Sequence, residues 1–171
     1  MLIKRAIHRG LSRLAASCPV LSKKLVAAFS PIDSQSIPWC PVYKPLEQSK
    51  IALVTTAGVH HKDQQPFDMN DAMGDPTFRI LDDQTIADDY KITHDYYDHR
   101  DAERDLNIVF PVQRLKDMQA ADLIRSVSEM HFSFMGHIIG RHVETLVNRT
   151  APQVAKILKQ LDVDAVLLTP A

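Results

Sequence analysis

The sequence contains very little cysteine. Its 171 residues include only Cys18 and Cys40, which form neither a Cys-x-x-Cys pair nor a cysteine–histidine spacing typical of zinc sites. This scarcity excludes a small secreted scaffold held together by disulfides. We therefore expect the protein to work in a reducing, cytoplasmic compartment.

Long apolar runs and a charge excess of one sign are also absent. No run approaches the roughly 20 residues that a membrane-spanning helix requires. The formal net charge of −1 argues against a nucleic-acid-binding surface spread over the whole protein. Neither a glycine-rich nucleotide-binding motif nor the Gly-x-Ser-x-Gly turn of many hydrolases occurs. No nucleic-acid partner is expected.

The amino-terminal part differs from the rest in composition. Residues 1–30 contain no acidic residue and show apolar side chains at helical spacing, which predicts a basic amphipathic helical arm. The arm could pack on the domain, contact a membrane surface or a partner, or act as a targeting segment. Residues 31–50 hold four prolines and predict an extended connector, with Trp39 as its anchor.

Residues 51–171 alternate between strand-like and helix-like patterns. Apolar or alternating stretches predict strands at 51–56, 77–81, 90–92, 106–110, 127–133 and 163–169. Amphipathic spacing predicts helices at 112–121, 138–148 and 150–161, the last with Thr150 as its N-cap. Such alternation favours an α/β domain with a mostly parallel sheet flanked by helices, of Rossmann-like or flavodoxin-like type.

Histidines follow three of the predicted strands. His60 comes after the first strand, His94 and His99 follow the third, and His137 follows the fifth. The carboxyl ends of parallel strands meet at one edge of a sheet, where α/β proteins bind ligands. We therefore expect the histidines to share a site. Thr56 and Gly58, at the turn after the first strand, are predicted to contact the substrate.

Residues 93–101 (THDYYDHRD) hold the densest group of titratable side chains. Histidine transfers protons near neutral pH, and Asp95 and Asp98 could orient the rings of His94 and His99 by accepting their second N–H. These four residues are the candidate catalytic side chains. A solvated turn and a divalent-metal site are the alternatives, although the spacing matches no recognised zinc motif.

Several long blocks of the sequence resemble one known family. They are residues 51–60 (IALVTTAGVH), 65–80 (QPFDMNDAMGDPTFRI), 92–110 (ITHDYYDHRDAERDLNIVF), 131–138 (HFSFMGHI) and 164–170 (DAVLLTP). Together they resemble the selenoprotein B subunits of the glycine, sarcosine, betaine and D-proline reductases, and the D-proline reductase branch most of all. The resemblance runs from about Trp39 to Ala171 and does not include the basic arm.

The resemblance implies reductive cleavage of a carbon–nitrogen bond in an amino-acid-like substrate, with a dithiol as electron donor. The nucleophile is a selenocysteine or cysteine in a Sec-x-x-Cys type motif, which in the family follows a strand ending like Leu-Leu-Thr-Pro. Such a strand ends at Ala171 in this chain. We therefore expect the selenocysteine after Ala171, at a codon usually read as stop, so that the domain is incomplete at its carboxyl end.

The resemblance also implies partners. Family members work in multi-subunit complexes, so other reductase subunits or further copies of the chain are expected to bind. In that setting His94, Asp95, Asp98 and His99 support the chemistry, while Thr56, Gly58, His60 and His137 hold the substrate. A non-catalytic partner subunit on the same scaffold is one alternative. A metal-dependent hydrolase that uses the histidine–aspartate cluster is another.

Overall fold

A computed structural model describes residue 10 and residues 40–84 and 89–171 of the chain. The chain divides into two compact units, one of Met1–Tyr43 with Asp95–Asp98 and one of Lys44–His94 with His99–Ala171. Apart from Gly10, the predicted arm at residues 1–30 lies outside the described residues, as does Trp39. The sheet and the helices around it belong to the second unit.

Five strands form one mixed, mostly parallel sheet, and two more form a small antiparallel ladder. The large sheet contains β1 (Lys50–Thr55), β3 (Arg79–Asp82), β5 (Ser126–Val127), β6 (Met130–Ser133) and β7 (Ala165–Thr169). The ladder contains β2 (Val59–His61) and β4 (Tyr90–Ile92). The predicted α/β class with a mostly parallel sheet is confirmed.

Strand β1 is the centre of the large sheet. It pairs in parallel with β5 at its beginning, with β6 at its end and with β7 along residues 51–55. A strand has only two edges, so β5 and β6 lie on one side of β1 and β7 lies on the other. Strand β3 pairs antiparallel with β6. The sequence of β1 explains its place, since a continuous apolar run suits a strand covered on both faces.

The helices are short. They are α1 (Arg100–Arg104), α2 (Val112–Ala120), α3 (Arg141–Thr145) and α4 (Ala151–Gln160), together with 3₁₀ turns at Leu46–Gln48 and Leu106–Ile108. Helix α2 matches the predicted 112–121. In the described part of the chain, no helix has the length and apolar character needed to cross a membrane.

The prediction of a strand at residues 106–110 was wrong. This stretch forms a 3₁₀ turn because the carboxylate of Asp105 accepts hydrogen bonds from the backbone N–H and the side-chain amide of Asn107, at 3.0 and 2.9 Å. A short polar side chain that binds the backbone two residues on favours a turn. That local bond outweighs the apolar, β-branched composition of the stretch.

Thr150 does not cap a new helix as predicted. Its backbone is helical (φ −76°, ψ −42°), and the chain runs from α3 into α4 through a π-helical turn, Leu146–Thr150. Pro152 supplies the physical reason, because it has no N–H to donate to the carbonyl four residues earlier and its ring crowds that carbonyl. Widening the preceding turn accommodates both effects.

The predicted strand at 127–133 is divided into β5 and β6, with Ser128 and Glu129 between them. Each face of the sheet has its own packing. On one face Phe132 and Phe134 pack with Val154 of α4. On the other, Leu53 and the ring of His131 are completely buried, and Phe110 packs edge-on against that ring at 5.5 Å.

Candidate functional site

The carboxyl ends of β1, β6 and β7 bring three chain segments together, as parallel pairing requires. The N–H of Thr56 donates to the carbonyl of Thr169 at 3.0 Å. The N–H of Ala171 donates to the side-chain oxygen of Thr56 at 3.1 Å. A Cβ at Gly136 would lie 2.8 Å from the Ala171 carbonyl oxygen and 3.1 Å from that of Thr56. The chain after β7 therefore lies directly against the turns that follow β1 and β6.

His94, on the segment after β4, lies against the Gly136 turn. Its Nε2 accepts a hydrogen bond from the N–H of Gly136 at 3.1 Å, and the side chain is buried. Because a backbone N–H can only donate, Nε2 must act as the acceptor, and a neutral ring carries its proton on Nδ1. A Cβ at Gly136 would lie 3.2 Å from this Nε2. Glycine is thus what allows the imidazole and the Ala171 backbone to approach the same point.

Gly58 joins the first turn to the segment that carries His94. It donates its N–H to Phe134 at 3.0 Å and accepts the N–H of Thr93 at 2.9 Å. Its φ of +70° is unfavourable for other residues, and a Cβ there would lie 2.6 Å from the carbonyl oxygen of Thr93. Gly58 therefore has a structural requirement independent of any ligand.

His60 is held by two hydrogen bonds. Its Nδ1 donates to the carbonyl of His61 at 2.8 Å, and its Nε2 lies 2.8 Å from the hydroxyl of Thr93. Burial lowers the pKa of His60, so the ring is neutral near pH 7 and Nε2 accepts from Thr93. Thr93 thus links His60 to the His94 turn, since it is the residue before His94.

The other two predicted histidines have different surroundings. His99 begins α1 and its Nδ1 lies 2.9 Å from a carboxylate oxygen of Glu103, one turn along that helix. His137 donates from Nε2 to the carbonyl of Ala72 at 3.0 Å. The bond of His137 connects the turn after β6 to the loop before β3, whereas the contact of His99 stays within the start of its own helix.

Asp95 and Asp98 belong to the other compact unit, with residues 1–43. Asp95 is buried and Asp98 is half-buried. Their predicted action on the rings of His94 and His99 stays a prediction. Within residues 40–84 and 89–171, no three histidine, cysteine, aspartate or glutamate side chains gather in a way that could hold a metal ion.

Hydrogen bonds tie together the segments that carry Thr56, Gly58, His60 and His94, and the backbone N–H groups of Thr56, Gly58 and Gly136 are all used in these bonds. A neutral imidazole beside close-packed backbone can orient a polar substrate and hold or move a proton. Sequence reasoning missed the role of Gly136 and Thr93. Gly136 directly precedes His137 in a glycine–histidine turn after a strand, but the prediction named only the histidine.

Comparison with known proteins supplies the context for this edge. A family model described as glycine/sarcosine/betaine reductase selenoprotein B matches residues 22–171. Over 131 residues the chain is 34% identical to the D-proline reductase subunit gamma of Acetoanaerobium sticklandii, a match that covers 77% of this chain and 52% of that protein.

Two glycine reductase subunits are also similar. The chain is 30% identical over 136 residues to the glycine reductase complex component B subunit gamma of Symbiobacterium thermophilum, which covers 78% of this chain and 31% of that protein. The chain is 29% identical over 136 residues to the corresponding subunit of Carboxydothermus hydrogenoformans, a match that covers 78% of this chain and 30% of that protein. The chain thus spans about half the length, or less, of these relatives. No solved structure matches.

Proposed function

The chain belongs to the glycine/sarcosine/betaine reductase selenoprotein B family, and from that membership we propose that it is a selenoprotein B-type subunit of an amino-acid reductase. The substrate class is an amino acid or its N-methyl derivative. The partners are other subunits of a reductase complex. The name of the matched D-proline reductase subunit supports a cyclic or N-substituted amino acid in particular.

The proposed reaction is reductive cleavage of a carbon–nitrogen bond. A selenolate or thiolate attacks the carbon bonded to nitrogen, and that bond breaks with its electron pair going to nitrogen, which takes a proton. A second thiol then attacks the selenium or sulfur, so that the carbon leaves with the electron pair and gains a proton. The selenol–thiol pair ends as a selenenylsulfide or disulfide, and an external dithiol reduces it. Low-pKa thiolates and selenolates are suited to such attack.

The position of Ala171 is the observation that carries this proposal. Its backbone is held at the carboxyl edge of the sheet by Thr56, beside Gly136 and His94. A nucleophile that follows Ala171 in a longer form of the protein would enter the site at this edge. We propose that Thr56, Gly58 and His60 form the substrate-binding wall there, with His137 on the adjoining turn.

We further propose that His94 supports the chemistry by holding the Gly136 turn and by moving a proton through Nδ1. His99, Asp95 and Asp98 are proposed as supporting residues on the same segment. The nucleophile itself would come from a selenocysteine or cysteine after Ala171, which makes these side chains auxiliary to the covalent step.

The first experiment reads the gene product across Ala171. The gene with its downstream nucleotides is expressed in a host that decodes selenocysteine, and peptides spanning Ala171 are analysed by mass spectrometry. We expect a peptide that continues past Ala171 with the isotope pattern of selenium, or with cysteine at the same place. A product that ends at Ala171 would overturn the catalytic proposal and favour the non-catalytic partner subunit instead.

The second experiment separates the two roles of His94. In the continued protein, His94→Gln keeps an acceptor for the N–H of Gly136, whereas His94→Ala removes it. Ring opening of D-proline to its amino acid product, release of methylamine from sarcosine and release of ammonia from glycine are measured with a dithiol and the partner subunits. If His94 also moves a proton, both variants lose activity by at least tenfold, and the glutamine variant does so with an unchanged melting temperature. Full activity of His94→Gln would reduce His94 to a positioning residue.

A further inference from the structure

Strand β7 has the composition of an interior strand but, among the described residues, lies at an edge of the sheet. Its sequence is Ala-Val-Leu-Leu-Thr. Among the described residues it pairs only with β1. Leu167 is 41% exposed and Leu168 is 69% exposed. Since neighbouring residues of a strand point to opposite faces, both faces of β7 present a leucine to solvent.

The residues of β1 that pair with these leucines are buried. Leu53 and Leu167 are paired across the two strands, as are Val54 and Leu168. Leu53 is completely buried, and Val54 packs against the apolar cluster under α4. Strands of parallel sheets are usually covered on both faces by helices. The side chains that bury both faces of β1 therefore do not extend over Leu167 and Leu168 of β7.

The free edge of β7 carries none of the features that usually keep a strand edge from pairing. Between Ala165 and Thr169 there is no charged residue, no proline and no bulge. Natural edge strands are commonly protected by one of these devices. The hydroxyl of Thr169 donates to the carbonyl of Val109 at 2.7 Å, which places the 3₁₀ turn beside the end of β7. Ile108, the residue before Val109, is 58% exposed and extends the apolar surface.

We propose that β7 is an interior strand of the assembled protein, and that the polypeptide which follows Ala171 in the continued subunit places a parallel strand along its free edge. Helices of that same segment would cover Leu167 and Leu168. This inference rests on the proposed function, because it takes the continued chain as the occupant.

The length of the relatives supports this occupant. The match covers 52% of the D-proline reductase subunit and about 30% of the glycine reductase subunits. A connection between parallel strands needs a dozen or more residues, usually including a helix, and the unmatched part of each relative is many times longer. The chain also leaves β7 at the correct end, since a parallel crossover starts from the carboxyl end of a strand.

The experiment compares the 171-residue chain with the continued protein in which cysteine replaces the recoded residue. Hydrogen exchange is followed at the β7 amides that point away from β1. We expect these amides to exchange at least tenfold more slowly in the continued protein. Equal exchange in both proteins would overturn the inference, while the peptide spanning Ala171 would still support the proposed function.

A matched pair of substitutions gives an independent result. Leu168→Asp should lower the melting temperature of the continued protein by several degrees and change that of the 171-residue chain by less than about 2 °C. Val147→Asp, at a 60% exposed site on the π-helical turn, should have little effect in either. If Leu168→Asp prevents folding of the continued protein, Leu168→Thr replaces it.

A second copy of the chain is the alternative occupant. Sedimentation of the 171-residue protein tests this directly. A dimer that becomes monomeric on Leu168→Asp would show that β7 pairs with itself, and would overturn the inference.

Discussion

The backbone N–H of Leu53 donates a hydrogen bond to Nδ1 of His131 at 3.0 Å. In an unbroken parallel pair this N–H would meet a carbonyl of the neighbouring strand, but β5 and β6 are interrupted at Ser128 and Glu129. The imidazole fills that interruption. Its other nitrogen, Nε2, is buried without a hydrogen-bond partner among the described residues. A protonated ring is therefore strongly disfavoured, and burial lowers the pKa of His131 to about 4.

The protein should lose stability in mild acid because of His131. The unfolded chain binds a proton at this residue below about pH 6.5, and the folded chain does so only below about 4. Stability from this group is thus complete above pH 6.5 and is lost as the pH falls to 4, by about 3 kcal/mol in all. Urea unfolding between pH 4 and 7.5 measures this loss.

Two variants of His131 test the cause. His131→Asn keeps an acceptor for Leu53 and cannot titrate, so its unfolding free energy should be flatter across the same pH range. His131→Leu leaves the buried N–H of Leu53 unsatisfied and should cost about 1–3 kcal/mol at pH 7. An unchanged pH slope in His131→Asn would contradict the assignment.

Asp71 should hold the loop between β2 and β3 against α3. Its carboxylate accepts from the backbone N–H of Met73 at 2.9 Å and contacts Arg141 at 2.5 Å and His142 at 2.9 Å. The Met73 bond first, and then the contact with His142, lower the pKa of Asp71 to about 2. The contribution to stability is therefore present above pH 4 and is lost as the pH falls through 2.

Asp71→Asn keeps an acceptor for Met73 but loses the charge that attracts Arg141. We expect faster proteolysis between residues 65 and 78, with little change in global stability, because loop opening is a local event. Asp68→Asn is the matched control, since the Asp68 carboxylate accepts a similar local bond, from the N–H of Asn70 at 2.7 Å. Equal cleavage rates in the two variants would show that the ion pair between Asp71 and Arg141 does not hold the loop in place.

Gly74 should tolerate no side chain. Its φ is +87°, and a Cβ there would lie 1.7 Å from the carbonyl oxygen of His137. Gly74→Ala must shift the backbone of one segment, and we expect a loss of about 3 kcal/mol in urea unfolding. Gly10→Ala, where no described residue lies within 4 Å of the added Cβ, serves as the control. A loss at Gly74 no larger than at Gly10 would show that the two segments separate easily.

Part of the architecture could be predicted because its signal is local. The apolar run of β1, the short β4, helix α2 and the last strand all appear close to their predicted positions. The errors arose where one side chain changed its own backbone, as Asp105 does at the 3₁₀ turn and Pro152 does at the π-helical turn. Neither effect appears in the spacing of apolar residues.

The candidate site could be predicted only in outline. Histidines at strand ends indicated one edge of a parallel sheet. His94 does contact the turn after β6, but His60 lies within β2 and His94 follows β4, and these two strands form the separate antiparallel ladder. Which nitrogen accepts, and from which backbone, depends on Gly136 and Thr93. These partners lie 42 and 33 residues away from His94 and His60. No local pattern connects such positions.

The α/β class, the order of most elements and, through long blocks of similarity, the family can all be inferred from the amino-acid sequence. These depend on side-chain periodicity and on residue identity, which are properties of short stretches. Three features appear only in the folded protein: His131 bonds across the break between β5 and β6, Ala171 meets Gly136, and β7 lies at an exposed edge of the described sheet. Strand pairing and the packing of distant side chains set these features, and both require the folded chain.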